Sequence, residues 1–142
     1  MVRLCVNAAW VALALLGSSG MVAAQPPESA PTPDVLTALE PGLWEFKEVD
    51  RPGAPERRCI ANLRDLFQPV QPRQACRHFL AENGPDHAAV AYDCAAQGRG
   101  RTTLRMETKR LLRIESQGIA EGRPFAVRLE ARRIGACSAT QR

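Results

Sequence analysis

The chain has 142 residues, of which 45% are hydrophobic and 24% charged, and a formal net charge of +4. That length is enough for one domain with one modest core. Aromatic residues make up only 5% of the chain, so the basic surplus lacks the stacking platforms of a nucleic-acid binder, and no nucleic acid is expected as a partner.

The first 24 residues read as a secretory signal peptide: Arg3 opens it, Ala8–Gly17 is an apolar run, and Val22-Ala23-Ala24 is a small-residue cleavage site. The apolar run is too short to span a bilayer comfortably, and no later stretch is longer, so no stable membrane insertion is expected after cleavage. Cys5 lies at the front of the leader and leaves with it, which argues against a lipid anchor. Removal of 24 residues from 142 leaves 118, starting at Gln25. The expected location is periplasmic or secreted. Four cysteines remain, Cys59, Cys76, Cys94 and Cys137, and an even number in an exported chain reads as two disulfides.

Residues 25–39 read as a proline-rich linker, with four prolines in Gln25–Pro33 and a short turn over Val35–Leu39 capped by Asp34. The folded domain is expected over residues 40–137, followed by a tail at 138–142. Pro41-Gly42 is a turn, Leu43–Val49 a strand with Trp44 and Phe46 on one face, and Glu56–Ala61 a second strand carrying Cys59. Asn62 caps a short helix, Leu63–Phe67, ended by Pro69 and Pro72; it is the one helix expected in the domain. Cys76–Cys94 reads as a hairpin turning at Asn83–Asp86. Its register sets Cys76 opposite Cys94, Arg77 opposite Asp93, Phe79 opposite Ala91, and His87 opposite Asn83. A Cys76–Cys94 disulfide follows from that register and leaves Cys59 for Cys137, although four cysteines allow three pairings. Gly98–Arg101 reads as a flexible basic turn.

The period-2 alternation is clearest in 102–109, 112–118 and 125–132, three half-buried strands. With Glu121-Gly122 as the second turn, Glu115 faces Arg128 and Arg113 faces Glu130. With Lys109–Leu111 as the first loop, Arg105 faces Glu115 and Glu107 faces Arg113. The polar face becomes a charge checkerboard, and Ile114 sits between Met106 and Leu129 on the other face. Charge is uneven along the chain: Gln25–Cys94 carries 7 basic and 11 acidic residues, and Ala95–Arg142 carries 11 basic and 4 acidic. The basic half suits anionic lipid, lipopolysaccharide phosphate or an acidic partner, but the checkerboard neutralises most of its arginines.

Catalytic chemistry is not legible. His78 and His87 are the only histidines, and the hairpin sets them on opposite faces, so no metal site is expected. The serines after residue 24 are Ser29, Ser116 and Ser138, none in a nucleophile elbow, and the cysteines are committed to disulfides. No catalytic residue and no cofactor are expected. Trp44, Phe46, Phe79, Tyr92 and Phe125 either face a ligand or fill the core.

Three features together resemble a family of exported bacterial proteins defined only as a domain of unknown function. They are the Pro41-Gly42-Leu43-Trp44-Glu45 opening, the order of the four cysteines, and the Arg133-Ile134-Gly135-Ala136-Cys137 ending. The chain lacks the family's Met- and Gly-rich middle. The resemblance implies an exported β-rich domain and carries over no site residues.

The expected fold is all-β: about seven antiparallel strands in a mostly sequential meander, curved into a partial or closed barrel, with one short helix. A two-sheet sandwich is the alternative. The expected role is a non-catalytic binding module for a small apolar ligand or an envelope component. The alternative is a structural or protein-interaction domain of the cell envelope, and a hydrolase ranks third.

Overall fold

A computed structural model describes residues 31–72 and 74–138. The signal peptide, the start of the linker and the last four residues lie outside the described residues. One seven-stranded antiparallel sheet makes up most of the fold. Its strands are β1 (Gly42–Glu48), β2 (Glu56–Ile60), β3 (Arg77–Asn83), β4 (His87–Asp93), β5 (Gly98–Thr108), β6 (Leu111–Ala120) and β7 (Arg123–Gly135). The spatial order is β2-β1-β7-β6-β5-β4-β3. Strands β3 to β7 are therefore a sequential meander, and the first two strands return to close on the last. The sheet stays open, with β2 and β3 as its two edges.

One face of the sheet is packed. Trp44, Phe46, Val90, Leu104, Leu112, Ile114 and Ala131 are buried there. These positions alternate along their strands, so their burial is the period-2 pattern made physical. A single sheet cannot cover its own apolar face. Leu66 and Phe67, from a 3-10 turn at Leu63–Phe67, supply part of the cover. The Asn62 side chain accepts from the Arg64 backbone N–H at 3.0 Å, as its capping role requires. The other part comes from α1 (Asp34–Thr37) and Leu39: Val35, Leu36 and Leu39 all lie in the core. Residues 34–39, read as the end of a linker, thus belong to the folded domain, and α1 is a second helical turn. Pro33, not Asp34, occupies its N-cap, without a side-chain cap bond.

Two disulfides staple the sheet. Cys59–Cys137 joins edge strand β2 to the chain beyond β7, and Cys76–Cys94 closes the β3–β4 hairpin. The first spans a sequence separation of 78 residues, and closing so long a loop stabilises by about 4–5 kcal/mol in the chain-entropy model.

Registers differ in how far they follow the sequence reading. Strands β6 and β7 pair as read, with Arg113 opposite Glu130, Glu115 opposite Arg128, and Ile114 opposite Leu129. Between β5 and β6 the register is two residues away from the reading: Arg105 faces Arg113, Thr103 faces Glu115, and Leu104, not Met106, faces Ile114. The cause is the turn. Neither Lys109 nor Arg110 takes a positive φ, so the two-residue turn lacks the twist of a favoured hairpin type, and a bulge between Met106 and Thr108 supplies the twist instead. In the β3–β4 hairpin the reading holds from Arg77 to Leu80. A bulge at Ala81 then brings Ala88, not His87, opposite Asn83. Gly98–Arg101 is strand, not turn; the reversal is made earlier, at a 3-10 turn over Ala95–Gln97.

Candidate functional site

The aromatic residues separate by face. Trp44 is fully buried, Phe46 and Tyr92 are nearly so, and Phe125 is half-buried on the packed side. Tyr92 lies flat over β5, where a Cβ on Gly100 would stand 2.5 Å from its hydroxyl oxygen. Glycine at that position lets the ring close the end of the core, and burial pushes the Tyr92 phenol up. Phe79 is not part of the core. It is on the outer face of edge strand β3 and is 51% exposed.

Phe79 forms one wall of a trough of about 650 Å3 that reaches from β3 to β7 and is also lined by Tyr92 and Phe125. Ala91 and the backbone of Gly100 and Gly118 make the floor, Ile119 the opposite wall, and Arg99 and Arg101 the rim. The strand registers create this shape. One row across the sheet is Phe79, Ala91, Arg101, Gln117; the next is Arg77, Asp93, Arg99, Ile119. Ala91 in the first row and the bare backbone of Gly100 and Gly118 between the rows leave a depression between Phe79 and Ile119. Ile119 is 36% exposed, so both walls keep apolar surface in water.

The rim is ordered by charge pairs. Arg77 donates to Asp93 at 2.7 Å and stacks its guanidinium 5.8 Å from the Phe79 ring centroid. Arg101 donates to Glu82 at 2.7 Å. The Ala95 backbone N–H and Arg77 hold the Asp93 carboxyl below its usual range. A smaller opening of about 350 Å3 continues the trough past Arg101 and Gln117 toward Arg128 and Asp50. Those two form a bidentate ion pair that lowers the Asp50 pKa. A separate cleft of about 490 Å3 lies between Val70, Gln71, Pro72 and Gln74 on one side and the β6–β7 turn on the other. It is pinned by Gln71, whose amide donates to the Gln97 carbonyl at 2.7 Å.

Sequence reasoning reached Phe79, Tyr92 and Phe125 by residue type but did not place them. It missed Ile119, Arg99 and Arg105. The alternation of Arg99, Arg101, Thr103 and Arg105 on one side of a strand was available as a signal, but reading Gly98–Arg101 as a turn broke it. Among the described residues, no three His, Cys, Asp or Glu side chains converge as a metal site would need. His78 is half-buried under Phe67, with ring centroids 6.3 Å apart, and burial followed by the Arg64 charge pulls its pKa down. His87 sits on the outer face opposite Arg105, next to Asp86.

Two structural disulfides are the usage of an oxidising, non-cytoplasmic compartment. No helix among the described residues is long and apolar enough to cross a membrane. Compared with known proteins, the chain matches no family model, no curated protein and no solved structure.

Proposed function

We propose that this chain is a non-catalytic protein-interaction domain, exported to the periplasm or beyond, which binds through the trough on the outer face of its sheet. The observation that carries this reading is the contrast between a packed inner face and an outer face that leaves Phe79 in water beside a 650 Å3 depression. A carrier of small apolar cargo encloses most of its ligand's surface. This trough is open along its length, so a partner large enough to cover it is what removes Phe79 and Ile119 from water. Aromatic and arginine side chains are the residue types that dominate binding energy in such surfaces. The signal-peptide reading and the resemblance to exported domains support the location. A small apolar ligand is the second reading, favoured by the trough's volume, which falls within the range of ligand pockets.

Site-specific photo-crosslinking separates the two. Benzoylphenylalanine replaces Phe79 in one variant and Lys47, at the far end of the outer face, in another. The interaction reading expects an adduct of protein size at position 79 and none at 47. A low-mass adduct at 79 favours the ligand reading, and an adduct at 47 alone overturns both.

A further inference from the structure

We infer that the outer face of β5 docks an extended acidic segment of a protein partner. Its carboxylates lie on Arg99 and Arg105, and a bulky apolar side chain two residues from the first, on the same face of the segment, fills the trough between Phe79 and Ile119. The inference rests on the interaction reading above and adds the partner's chemistry.

Alternation sets Arg99, Arg101, Thr103 and Arg105 on the outer side of one strand. From Arg99 to Arg105 this stripe runs about 20 Å, the length of a short extended peptide. The three arginines are not equivalent. Arg101 is occupied by Glu82 at 2.7 Å. Arg99 and Arg105 form no ion pair among the described residues. Arg99 acts on Asp93 only through space, and Asp93 already accepts from Arg77 and from the Ala95 N–H. Arg105 likewise acts on Asp86, whose carboxylate is taken by His87.

Arg105 is in the more exposed electrostatic position. It faces Arg113 on β6 and His87 on β4. Glu107, carried to the bulge, reaches Arg113 at 3.0 Å and leaves Arg105 unmatched. Like charges directly opposite each other on a sheet repel, and an incoming carboxylate between them relieves that repulsion. At the other end, Ile119 is directly opposite Arg99. A carboxylate on Arg99 therefore delivers the side chain two residues on, which shares its face, to the row of Arg101, Ala91 and Phe79 that holds the trough.

A protein segment fits better than a membrane. Glu115 faces Thr103 in the middle of the stripe, and Asp50 with Arg128 closes its flank. A continuous anionic surface would press phosphates onto these carboxylates, whereas a peptide can space its acids around them.

The test uses the full chain with both disulfides formed. The probe is a fluorescein-labelled nonapeptide with Asp at alternate positions and one Phe, read by anisotropy at about 0.15 M salt. Arg99→Gln, Arg105→Gln and Phe79→Ser are each expected to weaken binding about fivefold or more, and Arg57→Gln, on distant β2, to leave it unchanged. Replacing the peptide's Phe by Ser should weaken it similarly, and a Lys-for-Asp peptide should not bind. Near-ultraviolet circular dichroism checks that each variant is folded. Equal loss with Arg57→Gln overturns the inference in favour of diffuse charge. Phosphatidylglycerol vesicles that bind with the same arginine dependence overturn it in favour of a membrane. A Phe79-dependent dimer in sedimentation overturns it in favour of a second copy. Absence of binding at about 1 mM peptide also overturns it. In that case a protein adduct at crosslinker position 79 leaves the interaction reading standing, and its absence removes both.

Discussion

The hairpins on either side of β6 share a strand but not an outcome. The β6–β7 hairpin turns at Glu121-Gly122, both with positive φ, the backbone that favoured two-residue turns require. Its register then sets two outer-face charges opposite their counterparts, Arg113 with Glu130 and Glu115 with Arg128. The β5–β6 hairpin has no residue at positive φ in its turn and takes a bulge instead. The two-residue turn moves the pairing by one, the bulge near Glu107 by one more, and together they set Arg105 against Arg113. The same alternating pattern gives a neutralised surface on one side and an uncompensated cation on the other. The difference comes from two turn residues, which shows that turn chemistry, more than charge pairing, sets the register here.

Four substitutions or conditions sharpen that comparison. Ile114 is fully buried between Leu104 and Leu129, where both hairpins meet. Ile114→Ala should cost about 2–5 kcal/mol in urea unfolding, because it removes core volume from both. Ser116 and Thr102 share a buried hydroxyl hydrogen bond of 2.7 Å across the β5–β6 pair. Ser116→Ala leaves Thr102 without it and should cost about 1–3 kcal/mol; the double change with Thr102→Val should recover part of the loss. Gly122 has φ +76 and open space around a built Cβ, so Gly122→Ala should cost about 1–2 kcal/mol through backbone strain alone. That loss should appear in the β6–β7 turn, with exchange protection of the β5–β6 amides little changed.

The last effect is the smallest. Asp50 is held below its usual value by its hydrogen bonds to Arg128 on β7. A depressed carboxyl contributes its full stabilisation above the unfolded value, about 3.9, and loses it as pH falls through the folded value. An acid titration followed by nuclear magnetic resonance should find Asp50 titrating below that reference. In an Arg128→Gln chain it should return to the reference.

Much of the fold was legible because alternation survives wherever one face is buried. The strands around Trp44, Ile114 and Leu129, the Cys76–Cys94 pair and the Glu121-Gly122 turn follow from local residue chemistry, and the Cys59–Cys137 pair from elimination. What failed was non-local or fell at irregularities. Val35, Leu36 and Leu39 follow a proline-rich stretch, yet the open apolar face of the sheet draws them in. The bulges at Ala81 and near Glu107 leave no mark in composition, since neither carries a glycine. Phe79 was unresolved because burial depends on the neighbour across the strand. β3 is an edge, and the outer side of an edge has fewer neighbours to cover it. The outer-face site inherits all three causes: an edge strand, a misread turn at Gly98–Arg101, and a register set by a bulge.

The most direct measurement is a charge cycle at position 105. The unfolding free energy of Arg105→Gln is taken in three backgrounds: the natural chain, Arg113→Gln and Glu115→Gln. If Arg105 stands opposite Arg113, Arg105→Gln raises stability in the natural and Glu115→Gln chains. The gain of about 0.2–1 kcal/mol then disappears with Arg113→Gln. A loss of stability that disappears only with Glu115→Gln would place Arg105 opposite Glu115. It would contradict the register and remove the unmatched cation on which the docking surface depends.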